Sequence, residues 1–455
     1  MPTGPVFTRV KGWWHASLVL HMQRKVLVAV AIMVVAVVAV GIALFLGVGG
    51  VEERVMGQPK VIKVGVILPL TGRLAETGED LKRGIEFAVY QINSMGGVKN
   101  CGGAKIVVVW GDSQARPERG AAEAERLIVE EHVVALVGAY QSAVTKTASE
   151  VAERYRVPFL NPDSTSPTLT ERGYKWFFRI TPHDGMFVKQ QVEFVNWLNK
   201  RCGGCIKRIA IIHEDSEWGT NVARLWEKEF SAAGYEIVDV ISYHAPTVTS
   251  FDAEVERLKR SKPDLLLVAS YVHDALLLMK TIKAKKLYVK AILAQDAGFV
   301  SPAYVSQVGD AGWFVFSREV FNWDLVQKMP RLKEVEEEYR RMYGVSLNGN
   351  SARDYTGMWV LYYALEEACK IVKPWEDLQK FREALRDALA NLYIPGDKLI
   401  MPWKGVKFDE KGQNILGQGI IVQMMEDGKY YTVYPPEYAT REPVFPMPSW
   451  EERSR

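Results

Sequence analysis

The segments of this chain alternate between strand-like and helix-like patterns, and this alternation restricts the possible fold more than any other feature. Val61–Leu68 is a run of apolar, largely β-branched residues, as in a buried strand. The segment 80–94 then places Leu81, Ile85 and Ile92 on one helix face. Strands that alternate with helices in this way form parallel sheets with helices packed on both faces. The sequence therefore predicts an α/β fold.

The alternation occurs in two successive sets. The first set ends near Pro182, and the second continues to a last strand expected at Gly312–Phe316. Helix-rich sequence follows over 331–391, and further short strands are expected at Val406–Phe408 and Gly419–Gln423. Because 455 residues are enough for two domains, we expect two similar lobes, each built on a parallel sheet.

An apolar run near the N-terminus predicts a membrane anchor. Val26–Gly49 contains no charged residue and no proline, and it exceeds the ~20 residues that a helix needs to cross a bilayer. Arg24 and Lys25 precede the run, whereas Glu52 and Glu53 follow it. By the positive-inside rule, the rest of the chain lies outside the cytoplasm. We expect a retained anchor, although a cleaved signal segment is an alternative that the sequence leaves open.

Composition and motifs argue against several classes of function. The net charge is +3, and no basic patch interleaved with aromatic residues indicates nucleic-acid binding. The chain has no glycine-rich dinucleotide fingerprint after a strand, no phosphate-binding loop, no H-E-x-x-H and no G-x-S-x-G. The seven histidines are scattered without metal-ligand spacing. We therefore expect a protein that is not an enzyme and has no cofactor or metal.

The four cysteines predict at most a small number of disulfides. Cys202 and Cys205 form a C-x-x-C before a strand rather than at the start of a thioredoxin-like helix. In an oxidising compartment, a local disulfide between them is expected. The sequence does not decide whether Cys101 and Cys369 are free.

Candidate binding residues follow the strands of the first set, because ligands of open parallel sheets bind beyond the carboxyl ends of the strands. Ser142 comes shortly after one strand and begins a helix. It can cap that helix, or it can hold an anion such as a carboxylate. The next strand leads into a hydroxyl-rich loop, 161–167, which contains Asp163 and Thr165. Two such loops on neighbouring strands indicate one shared crevice.

The second set offers four further candidates. Asp184 stands at the start of its first helix, where it either caps that helix or faces a ligand. Trp218 and Tyr271 lie just past strands, so each can stack on a ligand or pack under a loop. Asp296 follows another strand and can face an ammonium group or merely start a turn.

Four segments resemble those of a known family. They are Lys63–Gly72 (KVGVILPLTG), Tyr90–Val98 (YQINSMGGV), Asn161–Pro182 and Phe408–Gly412 (FDEKG). Together they are similar to the Leu/Ile/Val-binding protein family, the substrate-binding proteins of branched-chain amino-acid ABC transporters. The resemblance extends over about residues 60–434, which is most of the chain.

The resemblance implies a type I periplasmic binding protein fold, with two Rossmann-like lobes joined by a three-strand hinge and preceded here by an N-terminal transmembrane helix. The expected organisation is a cytoplasmic N-terminus (1–25), a transmembrane anchor or signal (26–49), a linker (50–60), a first lobe (61–182 and about 319–396), a second lobe (183–318 and about 397–434) and a Pro-rich C-terminal tail (435–455).

The resemblance also implies roles for the candidate residues. Ser142 and Thr165, with the backbone at Asp163, would bind the carboxylate and amino group of an amino acid. Asp184 and Asp296 would lie near the ammonium, and Trp218 and Tyr271 would close over the ligand from the second lobe. The chain departs from the family pattern at Asp163, Trp218 and Asp296, and the family's usual first-lobe disulfide has no counterpart. These departures leave the identity of the ligand open.

The resulting hypothesis is an extracytoplasmic solute-binding protein that captures a branched-chain or related amino acid for an ABC importer. Its expected partners are the ligand, the permease subunits and, through the N-terminal helix, the cell membrane. The alternatives are a ligand-sensing receptor domain, a binder of an amide, urea or aromatic acid, and a secreted enzyme on a similar fold. The sequence does not predict the oligomeric state or the particular permease.

Overall fold

The computed structural model describes residues 60–453. The predicted cytoplasmic N-terminus, the anchor at 26–49 and nearly all of the linker lie outside the described residues. Within the part of the chain that is described, no helix is both long and apolar enough to cross a membrane.

The first sheet has five parallel strands in the order β2-β1-β3-β4-β5. They are β1 (Val61–Leu68), β2 (Lys105–Asp112), β3 (Ala135–Gly138), β4 (Phe159–Asn161) and β5 (Phe177–Arg179). Every residue of β3 is buried, whereas β2 at the sheet edge is partly exposed. This contrast is expected when helices cover both faces of a parallel sheet and only its edges reach solvent.

The second sheet has seven strands in the order β14-β13-β10-β9-β8-β6-β7. They are β6 (Arg208–Glu214), β7 (Glu236–Tyr243), β8 (Leu265–Ala269), β9 (Ala291–Ala294), β10 (Phe316–Glu319), β13 (Ile420–Met424) and β14 (Tyr430–Tyr434). The five strands β6 to β10 are parallel, and β13 and β14 add an antiparallel hairpin. The second sheet is therefore mixed rather than wholly parallel. A small separate sheet pairs β11 (Tyr393–Pro395) with β12 (Gly405–Lys407).

The helices cover both sheets. Those between β1 and β5 are α1 (Ala75–Ser94), α2 (Pro117–Val129) and α3 (Ser142–Tyr155). Those between β5 and β10 are α4 (Asp184–Arg201), α5 (Glu217–Ala232), α6 (Asp252–Ser261), α7 (Val272–Ala284) and α8 (Pro302–Val308). The later helices are α9 (Pro330–Tyr343), α10 (Gly349–Ile371), α11 (Leu378–Ala390) and α12 (Trp450–Arg453).

Helix α10 returns to the first sheet although it follows β10 in the chain. It packs along α1, and Gly84 permits a close approach because a side chain there would clash with the backbone of Ser351. Nearly all of α10 is buried, including Arg353 and Asp354. We call the first sheet with α1–α3, α10 and α11 the first layer, and the second sheet with α4–α8 the second layer. Within the described residues, the chain passes between these layers after β5, after β10 and after β12.

Two disulfides are present. Cys202 and Cys205, which their spacing predicts to pair, are joined to each other. Cys101 and Cys369, whose state the sequence left open, form a second disulfide across a sequence separation of 268 residues. This bond ties the segment between α1 and β2 to the end of α10, so the first layer has a disulfide that the family resemblance did not predict.

The strand expected at Gly312–Phe316 is misplaced, because β10 occupies Phe316–Glu319. Arg318 and Glu319 are almost fully buried in that strand. Two charged residues in succession do not match the apolar pattern of a buried strand, so the prediction stopped before them. The strands β11 and β14 were not predicted; β11 has only three residues and ends at Pro395, which is unusual in a strand.

Candidate ligand-binding site

Six of the seven predicted site residues line one small cavity of about 30 Å³. Its lining residues are Tyr140, Ser142, Asp163, Thr165, Trp218, Tyr271, Asp296, Ala297, Arg318 and Arg353. The exception is Asp184, which does not line the cavity but accepts a hydrogen bond from Thr165. The first layer contributes the loops after β3 and β4, and the second layer contributes the residues that follow β6, β8 and β9. Such loops beyond the carboxyl ends of parallel strands are where α/β proteins bind ligands.

The loops after β3 and β4 hold each other in place through hydroxyl groups. Ser142 Oγ accepts a hydrogen bond from the backbone of Ser166 at 3.2 Å. Ser164 Oγ donates to the carbonyl of Tyr140 at 2.8 Å. The residue before α3 is Gln141, and no described side chain caps the helix, so the capping role considered for Ser142 is wrong. Within residues 60–453, the first backbone N–H groups of α3 therefore lack a side-chain partner and can receive an anion.

Arg179 holds the loop after β4 in place through hydrogen bonds to its backbone. This arginine is fully buried, and its guanidinium donates to the carbonyls of Ser164 at 3.1 Å and Ser166 at 2.7 Å. Its Nε donates to Gln413 Oε1 at 2.7 Å. Burial lowers the pKa of Arg179 to about 9, which still leaves it charged at neutral pH. A fixed cation thus determines the shape of the loop that carries Asp163 and Thr165.

Asp184 acts on the site through Thr165 rather than by lining the cavity. Its carboxylate accepts from Thr165 Oγ1 at 3.0 Å and from Gln295 Nε2 at 2.8 Å. The residue that caps α4 is His183, whose Nδ1 accepts from the backbone of Gly185, so Asp184 is not the cap. Burial raises the pKa of Asp184. The Asp184 carboxylate therefore orients the Thr165 hydroxyl and accepts the hydrogen bond that this hydroxyl donates.

Three aromatic rings form one wall. The rings of Trp218 and Tyr271 are 5.1 Å apart, and those of Tyr140 and Tyr271 are 6.3 Å apart. All three side chains are buried. Tyr140, in the β3–α3 connection, has a positive φ of 75°, which is uncommon for a residue other than glycine. The sequence did not predict Tyr140 as a site residue.

The opposite wall contains two arginines that the sequence did not predict. Asp296 Oδ2 accepts from Arg318 Nη1 at 2.6 Å and from Arg353 Nη1 at 2.7 Å. Arg353 Nε also donates to Asp163 Oδ1 at 2.9 Å. Although burial opposes its ionisation, the guanidinium groups of Arg353 and Arg318 hold the pKa of Asp296 below its usual value. Asp296 therefore forms ion pairs within the protein.

Two further carboxyl groups complete this buried cluster. Asp354 lies beside Asp163, and Glu319 lies near Asp296; within residues 60–453, both Asp354 oxygens and Glu319 Oε1 are buried without a hydrogen-bond partner. Burial raises the pKa of Asp354 well above its usual value and that of Glu319 to about 8. These shifts favour the protonated forms of Asp354 and Glu319. Burial also raises the pKa of Asp163, whose Oδ1 accepts from Arg353.

The cavity is closed by contacts between the layers. Glu217, at the start of α5, accepts from Thr168 Oγ1 at 2.7 Å and from Lys146 Nζ at 3.1 Å. Arg73, after β1, donates to the carbonyl of Ala245 at 2.6 Å. A cavity of about 30 Å³ has room for a water molecule or two, but not for an amino acid. A ligand of that size therefore requires some movement of the surrounding loops to enter.

No group of three or more His, Cys, Asp and Glu residues within residues 60–453 is arranged to hold a metal ion.

Comparisons with known proteins agree with this architecture. Residues 61–429 match a family described as periplasmic binding protein. Leu/Ile/Val-binding protein homolog 7 of Brucella suis biovar 1 (strain 1330) is 32% identical over 395 residues, which cover 85% of this chain and 94% of that protein. The fold and the cleft between its two layers define an α/β solute-binding protein. The chain belongs to the Leu/Ile/Val-binding protein family of periplasmic binding proteins, which confirms the resemblance seen in the sequence.

Solved structures show the same fold. The leucine-binding protein of Thermotoga maritima MSB8 superposes with a TM-score of 0.69 at 22% identity, covering 82% of this chain and 97% of that one. A solute-binding protein of R. palustris in complex with benzoate superposes with a TM-score of 0.70 at 19% identity, covering 82% and 95%. Proteins of this fold therefore include binders of an amino acid and of an aromatic acid.

Proposed function

We propose that this protein captures a small carboxylate-bearing solute between its two layers and delivers it to an ABC importer. The observation that carries the proposal is the cavity itself, which both layers line with buried hydroxyl, aromatic and charged side chains. Family membership supports a binding role, since the relatives are named as binding proteins. The same membership implies a location outside the cytoplasm.

In this proposal the ligand's carboxylate lies at the start of α3. Ser142, the backbone at Asp163 and Thr165 surround that position, and the uncapped N–H groups of α3 add a partial positive charge. Trp218 and Tyr271 cover the apolar body of the ligand. For an amino acid, the ammonium would lie near Asp296, with Asp184 acting through Thr165.

A specific observation favours a second candidate, an aromatic acid. The wall formed by Tyr140, Tyr271 and Trp218 offers ring faces to a planar ligand. Arg318 and Arg353, on the other side, already compensate the charge of Asp296. The benzoate complex of R. palustris shows that this fold accepts such a ligand in another protein.

We further propose that the two layers act as lobes that open and close around the ligand. The three crossings after β5, β10 and β12 would form the hinge, with lobe boundaries at 61–182 and about 319–396 for the first lobe, and 183–318 and about 397–434 for the second. Because the closed cavity is too small for the ligand, the ligand must enter an open form. The contacts of Glu217 and Arg73 would break when the lobes separate.

The N-terminal run at 26–49 supports attachment of the binding protein to the membrane beside its permease. The alternative, the sensor domain of a receptor, uses the same fold. Membership of the Leu/Ile/Val-binding protein family favours import over signalling.

A ligand screen tests the proposed function. The full chain in detergent is heated with a panel of amino acids, amides and aromatic or aliphatic carboxylates, and its unfolding midpoint is recorded. We expect at least one carboxylate-bearing compound to raise the midpoint, because a ligand that binds only the folded state stabilises it by mass action. Amides and urea serve as matched compounds without a carboxylate. Stabilisation by amides alone would contradict the proposal.

A further inference from the structure

A second and larger cavity lies apart from the candidate binding site. Its volume is about 360 Å³, whereas the cavity at Ser142 has about 30 Å³. Among residues 60–453, none lines both cavities. Small molecules usually bind in cavities of about 300–1,000 Å³, so the larger cavity already has the size of a ligand site.

The walls of this larger cavity come from both sides of the junction between the layers. The loop that leads into α10 contributes Val345 and Leu347, and the second layer contributes Val305 of α8 and Tyr430 of β14. The segment after β10, where the chain crosses between the layers, contributes Trp323. These side chains make the lining largely apolar, and ligand sites are frequent at such junctions.

Hydrogen bonds hold these walls in place. Trp323 Nε1 donates to the carbonyl of Tyr430 at 3.1 Å, which fixes the indole ring. The backbone N–H of Leu347 donates to Glu336 Oε2 at 3.0 Å, and Asn348 caps α10. The polar groups of the walls are thus bonded to the protein itself. The cavity is pre-formed, and a ligand gains affinity there mainly by removing its apolar surface from water.

Two cationic side chains lie at the solvent-facing edge of the cavity. Arg340 of α9 and Lys429 of the β13–β14 turn line the cavity and are exposed. Within the described chain neither side chain forms an ion pair or a hydrogen bond, although Lys429 Nζ lies 5.8 Å from the ring centre of Trp323. The acidic side chains near them, Glu336 and Asp427, accept hydrogen bonds from other groups. The edge therefore attracts an anion.

The buried end of the cavity has the opposite character. Of the described acidic residues, Glu319 is the one that lines the cavity, and it is buried. Its Oε2 accepts from the backbones of Val320 and Phe321. Its Oε1 has no partner within residues 60–453 and lies against Gly349, where any side chain would collide with it. A carboxyl group at this end does not attract an anion, so an anionic head group belongs at the edge.

We infer that the larger cavity is a second binding site, for a small amphipathic monocarboxylate. The apolar chain of this ligand fills the cavity against Trp323 and Leu347, and its carboxylate contacts Arg340 and Lys429 at the edge. The site shares no lining residue with the candidate site, so it goes beyond the proposed function and does not depend on it.

Three probes that share one alkyl chain and differ in the charge of the head group test the inference. They are hexanoate, hexan-1-ol and hexylammonium. Calorimetry on the full chain in lipid nanodiscs, with empty nanodiscs as the blank, measures their binding. We expect saturable binding of hexanoate that is about tenfold tighter than that of hexylammonium, because its head group meets two cations. Absence of saturable hexanoate binding, or tighter binding of hexylammonium, would overturn the inference and leave the proposed function intact.

Variants then locate the bound acid. Arg340→Gln combined with Lys429→Gln should weaken hexanoate binding about three- to tenfold and leave hexan-1-ol binding unchanged, since exposed ion pairs are individually weak. Lys333→Gln combined with Arg341→Gln is the matched control, because it removes the same charge from exposed positions of α9 that do not line the cavity. Val305→Trp fills the cavity and should abolish binding of both probes.

The unfolding midpoint of each variant without probe shows whether the variant is folded. Ser142→Ala distinguishes the two cavities, because Ser142 lines the smaller one. If Ser142→Ala weakens hexanoate binding and the Arg340→Gln/Lys429→Gln protein does not, the acid occupies the smaller cavity and the inference is overturned. Unchanged hexanoate binding by a folded Val305→Trp protein would overturn it as well.

Discussion

At the scale of single residues, the carboxylate of Asp296 forms ion pairs with two guanidinium groups. Asp296 lies at a positive φ of 60°, two residues past the end of β9, and its Oδ2 accepts from both Arg318 and Arg353. The two arginines are 22 and 57 residues away in sequence. A pattern read along the chain could identify Asp296 from its place after a strand, but it could not identify partners that only the fold brings near.

Replacing Asp296 by asparagine is expected to destabilise the unliganded protein. The change leaves Arg318 and Arg353 buried with one carboxylate fewer, and breaking a buried ion pair typically costs about 3–5 kcal/mol. Chemical unfolding without ligand measures the loss. Asp310→Asn is the control, since Asp310 forms an exposed pair with Lys283 that is expected to contribute at most about 1 kcal/mol. Equal stability of Asp296→Asn and the unmodified protein would show that the arginines do not depend on Asp296.

Ser142 and Thr165 are expected to matter for binding more than for folding. Ser142→Ala removes a hydroxyl donor from the proposed carboxylate position, and Thr165→Ala removes an acceptor for a ligand amino group, because the Thr165 proton is bonded to Asp184. A hydrogen bond to a charged group contributes about 1.5–3 kcal/mol. We therefore expect the dissociation constant of the ligand found by screening to rise about 10- to 150-fold. Calorimetry measures it.

Thr147→Ala provides the control for these two variants, because Thr147 lies on the same helix but bonds the carbonyl of Pro117. If Ser142→Ala and Thr165→Ala bind as tightly as the control, the ligand does not lie at the start of α3.

At the scale of secondary structure, periodicity predicted most elements of both layers. The bounds of β1 agree with the expectation to the residue, because it is a continuous, largely β-branched run between clear breaks. β10 was misplaced because buried ion pairs replace apolar residues in it. The residue pattern also could not predict that α10 packs against the first layer. Its buried positions surround the helix, so no single apolar stripe points to a partner.

The disulfide between Cys101 and Cys369 is expected to stabilise the protein more than the one between Cys202 and Cys205. In the chain-entropy estimate the effect grows with loop length and reaches about 4.7 kcal/mol for 100 residues, whereas a 15-residue loop gives about 3 kcal/mol. The two bonds close separations of 268 and 3 residues. The paired variants Cys101→Ser/Cys369→Ser and Cys202→Ser/Cys205→Ser are compared by guanidinium unfolding.

In this estimate the first pair is expected to lose about 5–6 kcal/mol and the second less than about 3 kcal/mol. The second pair serves as the control for removing thiol groups. A larger loss in the second pair would mean that loop length does not determine the stabilisation.

At the scale of the whole molecule, the family and the two-layer architecture could be predicted from sequence, because the strand–helix alternation and the family segments extend over most of the chain. The charge balance of the site could not be predicted, because it depends on which buried carboxyl groups keep their protons.

The C-terminal segment packs against the second sheet and its neighbours. Met447 donates its backbone N–H to the carbonyl of Lys290 at 2.8 Å, and Val444 donates to Gln423 at 2.8 Å. It therefore packs along the second layer.

We expect the full-length protein to remain in the membrane fraction after extraction with alkaline carbonate, because the uncharged run at 26–49 is long enough to span the bilayer. A double substitution, Val34→Arg with Val38→Arg, places two charges in the middle of the run. Each costs about 2.5–3.5 kcal/mol on insertion scales, so this variant should be released. Val55→Arg, outside the run, is the control. Release of the unmodified full-length chain would contradict a retained anchor.

The return of α10 to the first layer has a consequence for the order in which the chain can fold. All five strands of the first sheet have been synthesised by Arg179, yet α10, which covers that sheet against α1, ends about 190 residues later at Ile371. At roughly 5–20 residues per second, this interval lasts on the order of 10–40 seconds. The second sheet is also incomplete until β13 and β14, near the end of the chain, have been synthesised. Neither half can therefore mature behind the ribosome or the export channel, and the emerging chain depends on protection from aggregation until its last strands are available.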